Sequence, residues 1–268
     1  MRIAAICPTY GRPALAANAL ACFLAQDHPA EDRFLLILDD AGTIAGDGPN
    51  WYIYSTSARY PTLIHKYLRM VGLLHILWPQ PGWDALALMD DDDIYGPQWL
   101  SSHALALASL PQPGWSYPSQ VLSLYGRDVS AGDPPLREPS GGRFWASVAL
   151  SRELYERSGG FLSSAARRDD FDQVHLRHWL ECGGEPGRPD ESPESRVQSP
   201  ESPLDPRRST LDYCYGWGRS NHGSALMGSG RSQGDWYDRA RMMDPTCVDP
   251  LVPKMDETTA KLYATVWA

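Results

Sequence analysis

Apolar runs of strand length alternate with helical periodicities through the first hundred residues. This makes the chain an α/β protein built on a mostly parallel sheet with helices on both faces. Three observations carry that expectation. Arg2 to Cys7 (RIAAIC), Phe34 to Leu38 (FLLIL) and Ala85 to Met89 (ALALM) are near-continuous apolar runs, as strands buried on both faces are. The segments between them carry apolar residues at helical spacing. Each strand run then ends in polar residues, namely Thr9-Tyr10, Asp39-Asp40 and Asp90 to Asp93. Ligands of open parallel sheets bind beyond such carboxyl ends.

Taken in order, Arg2 to Cys7 reads as the first strand, and Pro8 to Pro13 as a loop whose Pro13 suits a helix's first turn. Ala16, Leu20, Phe23 and Leu24 mark one face of a helix from Ala14 to Gln26. Phe34 to Leu38 is the second strand, and Trp51 to Ser55 a short third. Leu63, Tyr67, Met70 and Leu74 line a helix over Leu63 to Leu77 that carries Lys66 and Arg69, and the strand into Asp90 follows. Beyond it the pattern is less regular. Trp99 to Leu110 reads as a helix, Ser116 to Leu124 as a strand, and Arg127 to Gly142 as a polar connection. Phe144 to Leu150 reads as a strand, with Ser151 capping a helix to Arg157 that ends at Gly159-Gly160. Asp170 to Cys182 is a further helix, acidic in its first turn as the dipole favours. Gly183 to Arg208 is rich in Pro, Ser, Glu and Gly and reads as a mobile loop, taken as 184–208. Leu211 to Trp217 is an aromatic strand, Gly218 to Gly234 a glycine-serine-rich stretch holding His222, and Thr258 to Trp267 a closing helix. The expected organisation is one domain over 1–268, with a ligand-binding half at 1–110 and a less regular half at 111–268.

A chain of 268 residues with net charge −9 does not suit wholesale binding of nucleic acid or of an anionic membrane. The five cysteines (Cys7, Cys22, Cys182, Cys214, Cys247) are scattered and form no C-x-x-C pair, which argues against a zinc site or disulfide framework and for a reducing compartment. No stretch has membrane-spanning length. The expectation is a soluble cytoplasmic protein, or one peripheral at a membrane.

The densest chemistry lies in Asp90 to Asp93. Four adjacent carboxylates on the end of a buried strand repel one another unless cations or donors neutralise them. Oxygen-only ligands there suit a hard divalent cation, Mg²⁺ or Mn²⁺, which keeps waters and takes further ligands from substrate phosphates. The competing reading is a solvated acidic turn. Arg12 and Lys66 are candidate phosphate partners, since little else near these strand ends is basic; solvated surface charges are the alternative.

Together these segments resemble the inverting, nucleotide-sugar-dependent family 2 glycosyltransferases. Pro8-Thr9-Tyr10-Gly11-Arg12-Pro13 looks like the family's P-T-Y-N-R motif, and Leu38-Asp39-Asp40-Ala41-Gly42 like its V-D-D-G-S. Asp90 to Asp93, followed by Tyr95 and Pro97, looks like its D-x-D metal motif. Gly159-Gly160-Phe161, Asp169-Asp170, and Trp217 with His222 look like its G-G-F, E-D and W…H segments. Gly11 stands where Asn is frequent, Ala41 where Gly is, Asp169 where Glu is, and Leu68 where a subset has Asn after its Lys. The resemblance implies a GT-A fold, with a Rossmann-like, mostly parallel sheet and an irregular acceptor-side second half.

It also implies roles. Asp39 accepts a hydrogen bond from the donor's base, with Thr9 and Tyr10 beside it; the alternative is that Asp39-Asp40 forms a turn. Asp90 and Asp92 are the D-x-D pair, with Asp92 the first choice for direct ligation and Asp91 for the ribose. His222 completes the metal's shell or holds the diphosphate, or is merely solvated. Trp217 stacks on donor or acceptor, or packs in the core. Asp170, or Asp169, is the base that takes the acceptor hydroxyl's proton; helix capping is the competing role. The function so implied is Mn²⁺- or Mg²⁺-dependent transfer of a sugar from a nucleotide-diphosphate donor, a UDP-sugar, to a glycan, lipid-linked or small-molecule acceptor. Two other readings stand beside it: a sugar-nucleotide nucleotidylyltransferase, for which PTYGRP is a poor phosphate loop, and a non-catalytic nucleotide- or carbohydrate-binding relative.

Overall fold

The computed structural model describes residues 1–79, 82–124, 133–140, 145–165, 170–187, 213–215 and 249–267. In chain order the strands and helices begin with β1 (Ile3–Thr9), α1 (Pro13–Leu24), β2 (Arg33–Asp39), β3 (Ile44–Ala45), β4 (Asp47–Gly48) and β5 (Trp51–Ser55). They continue with α2 (Leu63–Leu77), β6 (Ala85–Leu88), β7 (Ile94–Tyr95), α3 (Trp99–Ala108), β8 (Gly114–Ser116), β9 (Gln120–Ser123) and β10 (Leu136–Pro139). The remainder are β11 (Ala149–Ser151), α4 (Arg152–Arg157), α5 (Phe171–Glu181), β12 (Glu185–Gly187), β13 (Tyr213–Tyr215), β14 (Asp249–Pro250) and α6 (Glu257–Val266).

Among the described residues the main sheet has eight strands in the order β12-β8-β11-β6-β1-β2-β5-β4. β6, β1, β2 and β5 run parallel, β12 is parallel to β8, and β11 and β4 are antiparallel to their neighbours. The central strands are covered on both faces, and the pleat divides their side chains between two cores. Ile3, Ala5 and Cys7 of β1, with Leu35 and Ile37 of β2, pack on the side of α1, α3 and α6. Ala4 and Ile6, with Phe34, Leu36 and Leu38, pack on the side of α2, α4 and α5. Leu36 is fully buried; truncation to Ala there costs about 2–5 kcal/mol. A helix dipole-side cap closes the α1 face: Asp256 accepts from Thr259 N at 2.7 Å to start α6, and its own N–H donates to Asn18 Oδ1 of α1 at 3.1 Å.

The first half follows its sequence pattern closely, with β5 and α2 matching the expected bounds. The second half departs from it. The expected strand Ser116 to Leu124 is two strands, β8 in the main sheet and β9 in a separate four-stranded sheet, β10-β9-β13-β7, with Tyr117 and Pro118 at the break. Proline cannot donate to a ladder, which explains the division. Part of the expected polar connection, Leu136–Pro139, is β10, antiparallel to β9. The expected strand Phe144 to Leu150 is a 3-10 turn at Trp145–Ser147 followed by β11. The loop expected at 184–208 is corrected at its start: Glu185–Gly187 forms an edge strand parallel to β8. Gly114 of β8 permits this approach, because a Cβ there would sit 1.9 Å from Glu185 O. The rest of that loop, 188–208, lies outside the described residues. No helix among the described residues is long and apolar enough to cross a membrane.

Candidate nucleotide-sugar and metal site

The polar strand ends lie side by side. Thr9 at the end of β1 is in register with Asp39 at the end of β2, and Asp39 with Ser55 at the end of β5. On the other flank Ile6 pairs with Leu88, so the chain leaves β6 next to Thr9 and turns through Asp90 to Asp93.

Asp39 is fully buried and faces protein donors. Its Oδ1 accepts from Gly11 N and Ala41 N, both at 3.1 Å. Its Oδ2 accepts from Thr43 N at 2.7 Å, Thr43 Oγ1 at 2.9 Å and Ile44 N at 3.2 Å. Asp39 thus ties the loop after β1 to the loop after β2. Asp40, also buried, accepts from Lys66 Nζ at 2.5 Å, Arg59 at 3.1 Å and Tyr60 N at 2.9 Å. Lys66 is held further by Thr9 O at 2.8 Å. Burial lowers its ammonium's pKa, and the Asp40 carboxylate opposes that fall. Arg59 also lies over Tyr10, its guanidinium carbon 3.5 Å from the ring centroid. Lys66, read from the sequence as a phosphate partner, is therefore engaged by Asp40 and a backbone carbonyl.

The acidic loop is arranged differently. Asp91, fully buried, accepts from Thr9 Oγ1 at 2.5 Å and from the Arg12 guanidinium. The other Nη of Arg12 meets Asp92 Oδ2 at 3.0 Å. Gly11 holds φ 59°, the left-handed region. Asn is the side-chain-bearing residue that best tolerates this conformation, so glycine keeps the geometry of the motif it departs from. Asp90, Asp92 and Asp93 each offer a carboxylate oxygen, and these atoms lie within 4.8 Å of one another. Desolvation by burial, then Asp92 and Asp91, pushes the Asp90 carboxyl up to about 7 against the pull of Arg12. Burial pushes Asp91 up to about 6, with Arg12 the main opposing influence. The Arg12 pKa stands above its usual value: burial pulls it down, but Asp91, Asp92 and Asp90 more than offset that. Three crowded oxygens of hard carboxylates fit the donor set of Mg²⁺ or Mn²⁺.

The loop is anchored from three elements. Tyr95 Oη accepts from Asp90 N at 2.7 Å, and Tyr263 of α6 donates to Tyr95 O. Gln26, just past α1, donates to Gly96 O at 2.7 Å and accepts from Leu100 N at 3.0 Å. Thr43, Gln26, Arg59 and Tyr263 were not legible as site residues, because their contacts join segments with no common spacing. Only Tyr95 carried a signal, by following the acidic run.

Asp170 is exposed and immediately precedes α5. His175 of α5 accepts from Leu162 N at 2.8 Å, and its Nδ1 lies 2.6 Å from Phe171 O, which binds the start of α5 to the segment after Gly159-Gly160-Phe161. Ring contacts lead from Phe171 through Trp145 to Tyr67 at 5.4 and 6.4 Å. Burial first, and then the Asp90 charge, pushes the Tyr67 hydroxyl's pKa up. Asp169, Trp217 and His222 lie outside the described residues. β13 pairs Cys214 with Ile94 and Tyr213 with Tyr95, antiparallel.

No protein-family model and no curated protein matches the sequence. Solved structures do. The chain superposes on S. aureus TarS 1-349 with a TM-score of 0.51 at 12% identity, over 70% of this chain and 58% of that one. On the same protein in complex with UDP the TM-score is 0.50 at 11% identity, over 70% and 57%. The mannosyltransferase PcManGT from Pyrobaculum calidifontis, in complex with GDP-Man and Mn²⁺, gives 0.49 at 15%, over 100% and 75%. The chain thus spans less than two thirds of TarS 1-349. The fold is GT-A-like: mixed α/β with a large, mostly parallel sheet.

Proposed function

We propose that this chain is a metal-dependent glycosyltransferase of the inverting, family 2 type, moving a hexose from a nucleotide-diphosphate donor to an acceptor hydroxyl. The observation that carries the reading is the carboxylate set Asp90, Asp92 and Asp93, gathered at the ligand-binding edge of a GT-A-like sheet. Likeness in fold to TarS, whose structure includes UDP, supports a UDP-sugar as donor.

Asp92, Asp90 and Asp93 hold Mn²⁺ or Mg²⁺, with His222 as a further ligand. The cation, when bound, neutralises charge that builds on the departing diphosphate. Thr9 and Tyr10, with the loops that Asp39 and Asp40 fasten, form the nucleotide's seat. Lys66 keeps that seat rigid, and Asp91, fixed by Thr9 and Arg12, faces the ribose. Asp170, or Asp169 beside it, takes the acceptor hydroxyl's proton as the oxygen attacks the anomeric carbon. Trp217 gives the sugar a stacking face. Donor recognition belongs to 1–110 and acceptor recognition to 111–268.

The test is donor turnover. UDP-sugars incubated with the protein and Mn²⁺ should release UDP slowly without acceptor, and EDTA should stop it. Under saturating donor, Asp170→Asn should reduce transfer by about 10²–10⁴-fold while Mn²⁺ binding persists. Asp169→Asn showing that pattern instead would move the base one residue. Undiminished turnover after exhaustive EDTA dialysis would overturn the metal reading.

A further inference from the structure

We propose that Arg12 is the resident cation of the acidic loop, and that a divalent metal arriving at Asp90, Asp92 and Asp93 takes Asp92 from it, turning one edge of the guanidinium toward the donor's diphosphate. The inference rests on the reading that those three carboxylates hold a metal.

Arg12 is pinned from both sides. Before it, Gly11 sits in the left-handed region with its N–H on Asp39 Oδ1. After it, Pro13 opens α1 with its φ fixed by the ring. The side chain therefore enters the acidic loop with little freedom and bridges two carboxylates, Asp91 by one Nη and Asp92 by the other. The two contacts are not equivalent. Asp91 is fully buried, receives Thr9 Oγ1 on its second oxygen, and lies outside the metal-competent set. Asp92 belongs to that set, and the Oδ2 that meets Arg12 stands at 3.0 Å.

One carboxylate thus faces two cations. A divalent ion bound through Asp92 outcompetes a single guanidinium charge there and repels it at short range. The Asp91 contact keeps Arg12 in place while the Asp92 contact opens. The guanidinium is a rigid fork, so the Nη that leaves Asp92 still presents N–H donors beside the metal, where a diphosphate is also bound. Arg12 would then hold the acidic loop together before the metal arrives and recognise the donor after it. Metal and nucleotide binding become coupled through one side chain.

The experiment measures Mn²⁺ binding without nucleotide, from the loss of the free-ion electron paramagnetic resonance signal, in the parent, Arg12→Lys and Arg12→Gln. Lysine keeps the charge but lacks the rigid fork whose two Nη atoms meet the two carboxylates. Both variants should bind Mn²⁺ about tenfold more tightly than the parent, the scale of one charged hydrogen bond. UDP affinity at saturating Mn²⁺, by calorimetry, should fall about tenfold in Arg12→Gln. Equal Mn²⁺ affinity in all three proteins overturns the exchange. Tightening in Arg12→Gln alone also overturns it, since only the charge and not the contact would then matter. Unchanged UDP affinity removes the second role. If the glutamine variant does not fold, the lysine variant decides the exchange alone. Mn²⁺ binding by none of the three overturns the metal site itself, a result distinct from failure of the exchange.

Discussion

Two groups of aspartates stand at neighbouring strand ends and are treated in opposite ways. Asp39 and Asp40 receive Lys66, Arg59 and the N–H groups of their own and adjoining loops. Asp90 to Asp93 are more numerous, and Arg12 bridges two of them, Asp91 and Asp92. The first pair is neutralised from within the protein and acts as a fastener. The second group gathers the oxygens of Asp90, Asp92 and Asp93 within 4.8 Å, an arrangement that suits an added cation. Similar residues at similar positions in a sheet acquire different work according to how fully the chain satisfies them.

The largest effect expected from breaking this contrast is at Asp92. Asp92→Asn removes one ligand and one contested charge, so transfer should fall by about 10³-fold, the several kcal/mol that a metal supplies to such a transition state. Its melting temperature without metal should hold or rise, because a repelling carboxylate is gone. Transfer assays with a thermal melt on the same sample check both. Asp39→Ala should invert the pattern. It strands several buried donors and should cost about 3 kcal/mol in urea unfolding, while Mn²⁺ binding measured by calorimetry survives in the folded fraction. A mild loss of stability there would place Asp39 with the functional group rather than the fasteners.

The smallest effect is one of pH. The Asp90 and Asp91 carboxyls are held above the ordinary carboxylate value, at about 7 and about 6, mainly by burial. Between about pH 4 and pH 7 the folded protein therefore binds more protons at this loop than the unfolded chain does, and stability from this source falls as pH rises. The metal-free parent should melt roughly 5 °C lower at pH 8 than at pH 5 relative to Asp90→Asn, whose profile is flatter. Saturating Mn²⁺ at pH 8 should abolish that difference. A parent and variant with parallel profiles would show that the loop is already neutralised in the folded protein.

How much of this was legible in the sequence follows the same division. Strands buried on both faces announce themselves by composition, so β1, β2, β6 and the helices α1 and α2 read correctly, and Thr9, Asp39 and Asp90 fell at or just past the carboxyl ends of those strands. The shorter strands read only as parts of longer runs, β9 inside the expected Ser116 to Leu124 and β11 overlapping the end of Phe144 to Leu150. β8, β9 and β11 are three or four residues each, too short for a period to show, and β12 is an edge strand written in Glu, Pro and Gly. At the site, the acidic run could be seen but its partition could not. Which aspartates join the metal-competent set and which meets Thr9 depends on the turn between Leu88 and Ile94. Lys66 shows a related limit: a lone basic residue in sequence says nothing of the buried Asp40 carboxylate that it meets.

Tyr95 stands early in the chain, yet two late segments close on it: β13 pairs with it through Tyr213, and Tyr263 of α6 donates to its carbonyl. The parallel strands that seat Thr9 and Asp39 require only the first third of the chain, whereas the wall behind the acidic loop needs contacts of long sequence separation, which form slowly. During synthesis the loops that Asp39 and Asp40 fasten can assemble while the outer wall of the acidic loop is still being made. The wall behind the aspartates is thus completed after the strands that carry them, and a nascent chain extended only through β7 would hold its aspartates without the clamp that fixes their spacing.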